Sequence, residues 1–249
     1  MGDGRVAVVS GGGTGIGAAV ARGLVLDGFD VLVVGRRGEV LAETATRISA
    51  ECGRAGAVRP VTADLTEPGQ LATVVEAVGE RTVDVVVNNA GGYLGGATDT
   101  LADVAGWWRA NLDANVLTAV LLTEALRPAL RRPGGRVLLI SSIAAQRGGG
   151  GPYSAAKAAL HGWAYDLAGA LGPEGITVNV VSPGYVAETE FFGDRMTPEG
   201  HAKRVDATLV GRAGVPDDIA AAVRYLAGPD AGYVTGQVLG VNGGSVLGR

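Results

Sequence analysis

Seven short runs of mostly apolar, largely β-branched residues recur along the chain, each parted from the next by a stretch of helical length. That alternation is the pattern of βαβ units and builds a parallel sheet. "RVAVVS" (Arg5 to Ser10), "DVLVVG" (Asp30 to Gly35), "AVRPVTA" (Ala57 to Ala63) and "VDVVVNNA" (Val83 to Ala90) are expected as the first four strands. "GRVLLISS" (Gly135 to Ser142), "ITVNVVS" (Ile176 to Ser182) and "GQVLGVNGG" (Gly236 to Gly244) are expected as the last three. Their near-continuous apolarity predicts helices on both faces of the sheet, with Gly15 to Gly28 and Tyr153 to Leu171 among them. In such an α/β, doubly wound arrangement, ligands lie beyond the carboxyl ends of the strands.

A chain of 249 residues suits one large domain. Its 42 glycines are spread out rather than gathered into a linker, and no internal repeat or boundary shows. The apolar runs are too short to span a membrane, and "MGDGRVAVVS" carries no cleavable signal pattern. Cys52 is the sole cysteine, which excludes an internal disulfide or a cysteine metal cluster, and two distant histidines do not suggest zinc. A net charge of −4 without a basic block gives no support for nucleic-acid binding. The expectation is a soluble cytoplasmic protein with no nucleic-acid or membrane partner.

Two ends of a ligand site can be read from the residues. "SGGGTGIG" (Ser10 to Gly17) follows the first strand and opens the first helix. Glycines there permit a tight turn and let backbone N–H groups approach a pyrophosphate at the helix N-terminus. The spacing reads as Gly11, Gly15, Gly17, or as Gly13-x-Gly15-x-x-Ala18; the alternative is a purely structural turn. A carboxylate at the end of the second strand would hold the ribose 2′-hydroxyl of NAD. The chain has Gly35, Arg36 and Arg37 there instead, two guanidinium forks suited to the 2′-phosphate of NADP. Arg36 directly follows the position the acid would occupy and is the expected contact; the alternative is that the arginines solvate a loop.

At the other end, Tyr153 and Lys157 lie one helical turn apart. Lys157 is one of only two lysines in a chain that otherwise uses arginine. A compact ammonium beside a phenol favours the phenolate, and the expectation is a Tyr153 pKa lowered from its usual value of about 10. Ser142, at the end of the fifth expected strand, offers a hydroxyl to a substrate oxygen. Each of the three has a plain alternative as a solvated or packing residue. Together, at one sheet edge beside a dinucleotide site, they read as a hydride-transfer site.

The ordered set "SGGGTGIG", Asp64 in "ADL", "NNAG" (Asn88 to Gly91), Asn115 in "ANVLTA", Ser142 in "ISS", "YSAAK", "SPG" (Ser182 to Gly184) and "VNGG" from Val241 resembles the short-chain dehydrogenase/reductase family over essentially the whole chain. Within it, the 3-oxoacyl-(acyl-carrier-protein) reductase-like branch is the nearest resemblance. The resemblance implies a Rossmann fold and an NADP(H)-dependent enzyme acting on a carbonyl or secondary alcohol, with the substrate either free or carrier-bound. Tyr153 would be the general acid in reduction and the base in oxidation, and Lys157 would tune it and bind the nicotinamide ribose. Ser142 would orient the carbonyl. Asn115 would hold a water linking Lys157 to solvent, with Asn111 one turn earlier as the competitor for that role.

For the cofactor, the resemblance implies a cradle at Gly11, Thr14, Gly15, Ile16 and Gly17, with Arg36 and Arg37 at the 2′-phosphate. Asp64 and Leu65 would flank the adenine, and Asn89, Ala90 and Gly91 would line the adjacent ribose. Pro183, Gly184, Val186 and Thr189 would border the nicotinamide side. Thr14 stands where many NADP-using relatives carry a basic residue. Ser10 replaces the family's usual Thr. Ser142 and Tyr153 are 11 residues apart, closer than is usual, with Gly148 to Gly151 between them. Thr189 falls one residue later than the usual spacing.

The segment 185–209 would be a substrate lid. Its Phe191, Phe192 and Met196 favour an apolar substrate, unless one phenylalanine serves the core. Relatives pack the helices around Asn115 to Leu130 and Tyr153 to Leu171 against a partner, and "VLTAVLLTEAL" (Val116 to Leu126) is apolar enough to suit that, so a homotetramer is expected. The competing functions are an NAD-dependent alcohol or sugar dehydrogenase and a non-catalytic dinucleotide-binding sensor.

Overall fold

A computed structural model describes residues 4–191, 193 and 196–248. Seven parallel strands form one sheet in the order β3-β2-β1-β4-β5-β6-β7. They are β1 (Val6–Ser10), β2 (Asp30–Gly35), β3 (Val58–Thr62), β4 (Val83–Asn88), β5 (Arg136–Ile140), β6 (Thr177–Pro183) and β7 (Val238–Val241). The chain runs outward from β1 to β3, crosses back, and runs outward again from β4. The carboxyl ends of β1 and β4 therefore diverge into a crevice, the switch point at which doubly wound sheets bind ligands.

Valines and leucines point to both faces of each inner strand, so each face needs its own helical layer. On one face, Val8, Leu32, Val86 and Leu139 pack with α3 (Leu71–Val78), α5 (Thr118–Leu126) and α7 (Pro152–Leu171). On the other, Val9, Val33, Val87 and Leu138 pack with α1 (Gly15–Leu26), α2 (Gly38–Glu51) and α9 (Pro216–Ala227). Three further helices shape the crevice: α4 (Leu101–Leu112), the one-turn α6 (Ala144–Arg147) and α8 (Pro198–Asp206).

All seven expected strands are present, and β2 has the expected bounds. β4 stops at Asn88 rather than Ala90 because the amides of Asn89 and Ala90 turn from the ladder to the Ser10 hydroxyl, at 3.0 and 2.9 Å. β7 keeps only Val238–Val241, since the chain turns at Asn242, whose side chain accepts the Gly244 amide at 2.9 Å. Between α4 and α5 the helix widens into a π turn over Asp113–Leu117. No helix among the described residues is long and apolar enough to cross a membrane.

Candidate active site

The crevice is a continuous cleft of about 1050 Å³ running across the carboxyl ends of the strands. Its first end is built where β1, the start of α1 and the segment after β4 meet. Ser10 Oγ accepts the two amides named above, and Asn89 Nδ2 donates to the carbonyls of Ser10 at 3.0 Å and Gly11 at 3.2 Å. The serine thus makes the contacts a threonine hydroxyl would. The packing leaves no room for side chains: a Cβ on Gly17 would fall 2.1 Å from the Gly11 oxygen. A Cβ on Gly11 would fall 3.1 Å from Ala90 Cα.

Thr14 is the N-cap of α1 but makes no side-chain cap bond, and no acid occupies the first turn. The opening N–H groups and positive dipole end of this helix therefore face the cleft uncapped, as a phosphate ligand requires. A dinucleotide fits this cradle, with Gly11, Thr14, Gly15, Ile16 and Gly17 all lining it.

The two arginines part company. Arg37 Nη2 donates to the Glu190 carboxylate at 2.8 Å, and Thr14 Oγ1 donates to the same oxygen at 3.3 Å. This holds the Glu190 carboxyl below its usual range, chiefly through the Arg37 hydrogen bond. Arg36 forms no ion pair among the described residues; it stands exposed in the cleft wall near Asp64. Asp64 accepts the Thr66 amide at 3.0 Å and its hydroxyl at 2.7 Å. Those bonds, with a smaller contribution from the Arg36 charge, lower its pKa. Leu65 is buried beside it.

At the second end, β5 delivers Ser142 just past its last residue, and the Ala144 amide donates to Ser142 Oγ at 3.1 Å. α7 delivers Tyr153 and Lys157 from one face. Tyr153 is hydrogen-bonded to Ser142. Lys157 is buried, its Nζ donating to the Ile140 carbonyl at 2.9 Å.

Asn115 sits in the π turn and clasps Gly92 twice: Nδ2 donates to its carbonyl at 2.9 Å and Oδ1 accepts its amide at 2.9 Å. Single π turns often mark functional positions, because they re-aim the side chains they carry. Asn111 is fully buried but bonds the carbonyls of Leu94 and Trp107, away from the lysine. By contrast, a Cβ on Gly91 would meet both Asn115 Oδ1 at 2.5 Å and Lys157 Nζ at 3.3 Å. Asn115 and Lys157 therefore both lie beside Gly91, the lysine lining the cleft and Asn115 buried behind its wall.

The short path from Ser142 to Tyr153 closes because Gly148 and Gly149 adopt φ of 77° and 92°, conformations that side chains disfavour. The late Thr189 is likewise accommodated. Glu188 takes a left-handed φ of 59° and absorbs the additional residue. Thr189 Cγ2 then lies 3.4 Å from where a Cβ on Gly15 would sit, directly over the glycine turn. Ala90, Gly91, Pro183, Gly184 and Val186 also line the cleft. Phe191 lines it too, whereas Phe192 lies outside the described residues.

One expectation is corrected. Burial, the larger influence, pushes the Tyr153 phenol up to about 12, against the lowering effect of the Ser142 hydrogen bond. Burial also pushes the Lys157 ammonium down to about 8. The lysine nitrogen lies 5.8 Å from the phenol ring centroid and donates one hydrogen bond to the Ile140 carbonyl. Loss of water around the phenol outweighs the Ser142 hydrogen bond. Tyr153 is consequently a protonated donor at neutral pH.

Among the cleft residues that the sequence reading did not single out, two stand out by their contacts. Tyr93 packs edge-on against Tyr153, and Glu190 holds Arg37. An aromatic residue two positions after "NNAG" in an aromatic-poor chain, and an acid opposite "GRR", were the available signals.

The fold and this two-ended cleft define a class, the dinucleotide-dependent oxidoreductases with a Ser-Tyr-Lys site. Residues 11–245 match the family described as enoyl-(acyl carrier protein) reductase. The short-chain reductase protein NovJ of Streptomyces niveus is 38% identical, across 96% of this chain and 93% of its own length. The 3-oxoacyl-(acyl-carrier-protein) reductase FabG of Escherichia coli K12 is 34% identical, across 98% of both chains. A solved structure of an actinorhodin polyketide ketoreductase with NADPH superposes with a TM-score of 0.84 at 34% identity, covering 98% of this chain and 97% of that one. The chain belongs to the short-chain dehydrogenase/reductase family.

Proposed function

We propose that this chain is an NADP(H)-dependent ketoreductase of the 3-oxoacyl reductase type, working in the cytoplasm on a free or carrier-bound carbonyl compound. The observation that carries the reading is the convergence of Ser142, Tyr153 and Lys157 in one cleft with an uncapped, glycine-built phosphate cradle, with Asn115 buried behind the Gly91–Gly92 wall. Reductases of this kind are among the chain's relatives, and one similar structure contains NADPH.

NADPH, when bound, supplies the hydride that reduces the carbonyl carbon. The remaining steps belong to the protein. Ser142 Oγ donates a hydrogen bond to the substrate oxygen, held in place by the Ala144 amide. Tyr153, which the same serine touches, gives its phenol proton to that oxygen as the alcohol forms. The Lys157 ammonium stabilises the phenolate left behind and returns a proton to it. Asn115 fixes the Gly91–Gly92 wall beside the lysine. Arg36 meets the 2′-phosphate, while Arg37 and Glu190 bridge the cleft at Thr14.

Assaying oxidation of NADPH and of NADH with a panel of ketones and 3-oxoesters tests this reading. Reduction with NADPH as the better donor is the expected result. A clear preference for NADH, with alcohols or sugars as the only substrates, would favour the dehydrogenase alternative. Binding without turnover would favour the sensor.

The Lys157 pKa gives a pH dependence. A lysine held at about 8 keeps its charge below that pH and loses it above. The kcat/KM for NADPH, which reports the free enzyme, is therefore expected to be level below pH 8 and to fall as pH rises through it. A profile level to pH 10 would contradict the assignment.

The assembly we propose is a homotetramer. Leu122 and Leu126 of α5 are already buried against the chain's own sheet, so the cover needed is smaller than the run Val116 to Leu126 suggests. Still exposed around α4, α5 and α7 are Trp108, Leu112, Leu117 and Tyr165, at 41%, 38%, 37% and 55%. Sedimentation at micromolar concentration is expected to give the tetramer mass; a lone monomer would rule this out.

A further inference from the structure

We infer that the carbonyl reduced by this enzyme bears an aromatic ring, held at Tyr93 and Phe191 and facing the bare wall of Gly148 and Gly149. The inference rests on the ketoreductase reading above and adds the substrate class.

The sequence holds only three Trp, six Tyr and three Phe. Among the described residues, four of these line the cleft: Tyr93, Tyr153, Tyr185 and Phe191. The two core clusters are mainly valine, leucine, isoleucine and alanine, with Phe29 the one ring among their buried described residues, so the cleft rings are not taken up by the core. Two of the rings touch the proton donor itself. Tyr93 meets the Tyr153 ring at a centroid distance of 6.2 Å and 69° between planes, and Phe191 meets it at 5.6 Å and 55°. They arrive from unrelated segments, Tyr93 from the loop after β4 and Phe191 from the segment after β6. Both are half-buried and line the cleft.

Tyr93 is held in place. Trp107 Nε1 donates to the Leu94 carbonyl at 2.6 Å, and the same indole lies 3.0 Å from where a Cβ on Gly151 would sit. The loop carrying Tyr93 is thereby pinned to the glycine turn before Tyr153. Along that turn, Gly148 and Gly149 line the cleft, and a Cβ on either would meet nothing within 4 Å. Side-chain-free glycines and half-buried rings in the same cleft make room for a wide, flat group next to the carbonyl. Aromatic rings prefer edge-to-face or offset neighbours at centroid distances of about 4.5–7 Å, the geometry Tyr153 already has on two sides. A substrate ring joining this cluster gains that preference in addition to simple apolar burial; a saturated ring of the same size gains burial alone.

The test compares kcat/KM with NADPH for ethyl 3-oxo-3-phenylpropanoate, its 3-cyclohexyl counterpart and ethyl acetoacetate. The wild type is expected to prefer the phenyl over the cyclohexyl ester by about fivefold or more. Tyr93→Leu and Phe191→Leu, checked for folding by circular dichroism, are each expected to bring that ratio close to unity. A wild-type ratio at or below one, with acetoacetate reduced, overturns the inference and leaves the ketoreductase reading standing. A high ratio that survives in both leucine variants overturns the roles of Tyr93 and Phe191. Because the wild-type ratio is informative alone, a variant that fails to fold does not rescue the idea. Turnover of none of the three esters with either cofactor counts against the ketoreductase reading and takes this inference with it.

Discussion

Tyr153→Phe is expected to lower turnover by about a hundredfold to ten-thousandfold, the range a positioned general acid contributes, while leaving NADPH affinity within about twofold. The substitution deletes one oxygen. The ring keeps its place between Tyr93 and Phe191, and the buried helix face that carries it is unchanged. What disappears is the proton that must reach the substrate oxygen, together with the hydrogen bond to Ser142. The phenol is protonated near neutrality, so its loss removes the general acid from that point. Single-turnover rates and a fluorescence titration with NADPH separate the two quantities. A variant with near-normal turnover would remove Tyr153 from the mechanism, and one with lost NADPH affinity would assign it a binding role.

The second large effect concerns the cofactor. Wild-type protein is expected to favour NADPH over NADH in kcat/KM by about tenfold or more, since one charge-assisted hydrogen bond to the 2′-phosphate contributes about 1.5–3 kcal/mol. A Gly35→Asp, Arg36→Ala variant is expected to move that ratio toward NADH. The aspartate fits: a Cβ on Gly35 would meet only Leu41, at an ordinary 3.8 Å. Its carboxylate would take the ribose 2′-hydroxyl and repel the phosphate. Arg36 is the side to remove, because Arg37 is already engaged by Glu190. An unchanged ratio in the variant would transfer specificity away from the end of β2.

Much of this was readable from the chain alone, and the reasons differ by region. The β2 bounds were legible because "DVLVVG" is apolar on both faces and ends in a glycine. Tyr153, Lys157 and Ser142 were legible as types at spacings, and the fold does bring them together. Three things were not. The position of Asn115 relative to "NNAG" already favoured it over Asn111, but the π turn over Asp113–Leu117 that carries it and its clasp on Gly92 leave no periodic mark. The direction of the Tyr153 shift was misread because burial depends on how three segments close over the ring, which spacing does not encode. The partners Glu190 and Arg37 stand 153 residues apart, and only the folded crevice makes them neighbours.

The central claim is that this cleft moves a hydride from NADPH to a carbonyl carbon while Tyr153 supplies the proton. The most direct measurement uses NADPH deuterated at the transferable position of nicotinamide C4, a 3-oxoester and the wild-type enzyme in ordinary water, with the product read by mass spectrometry and NMR. The account predicts a hydroxy ester carrying one deuterium on the carbinol carbon, formed one-for-one with NADP⁺. An alcohol without that deuterium, or consumption of NADPH without alcohol, would contradict it.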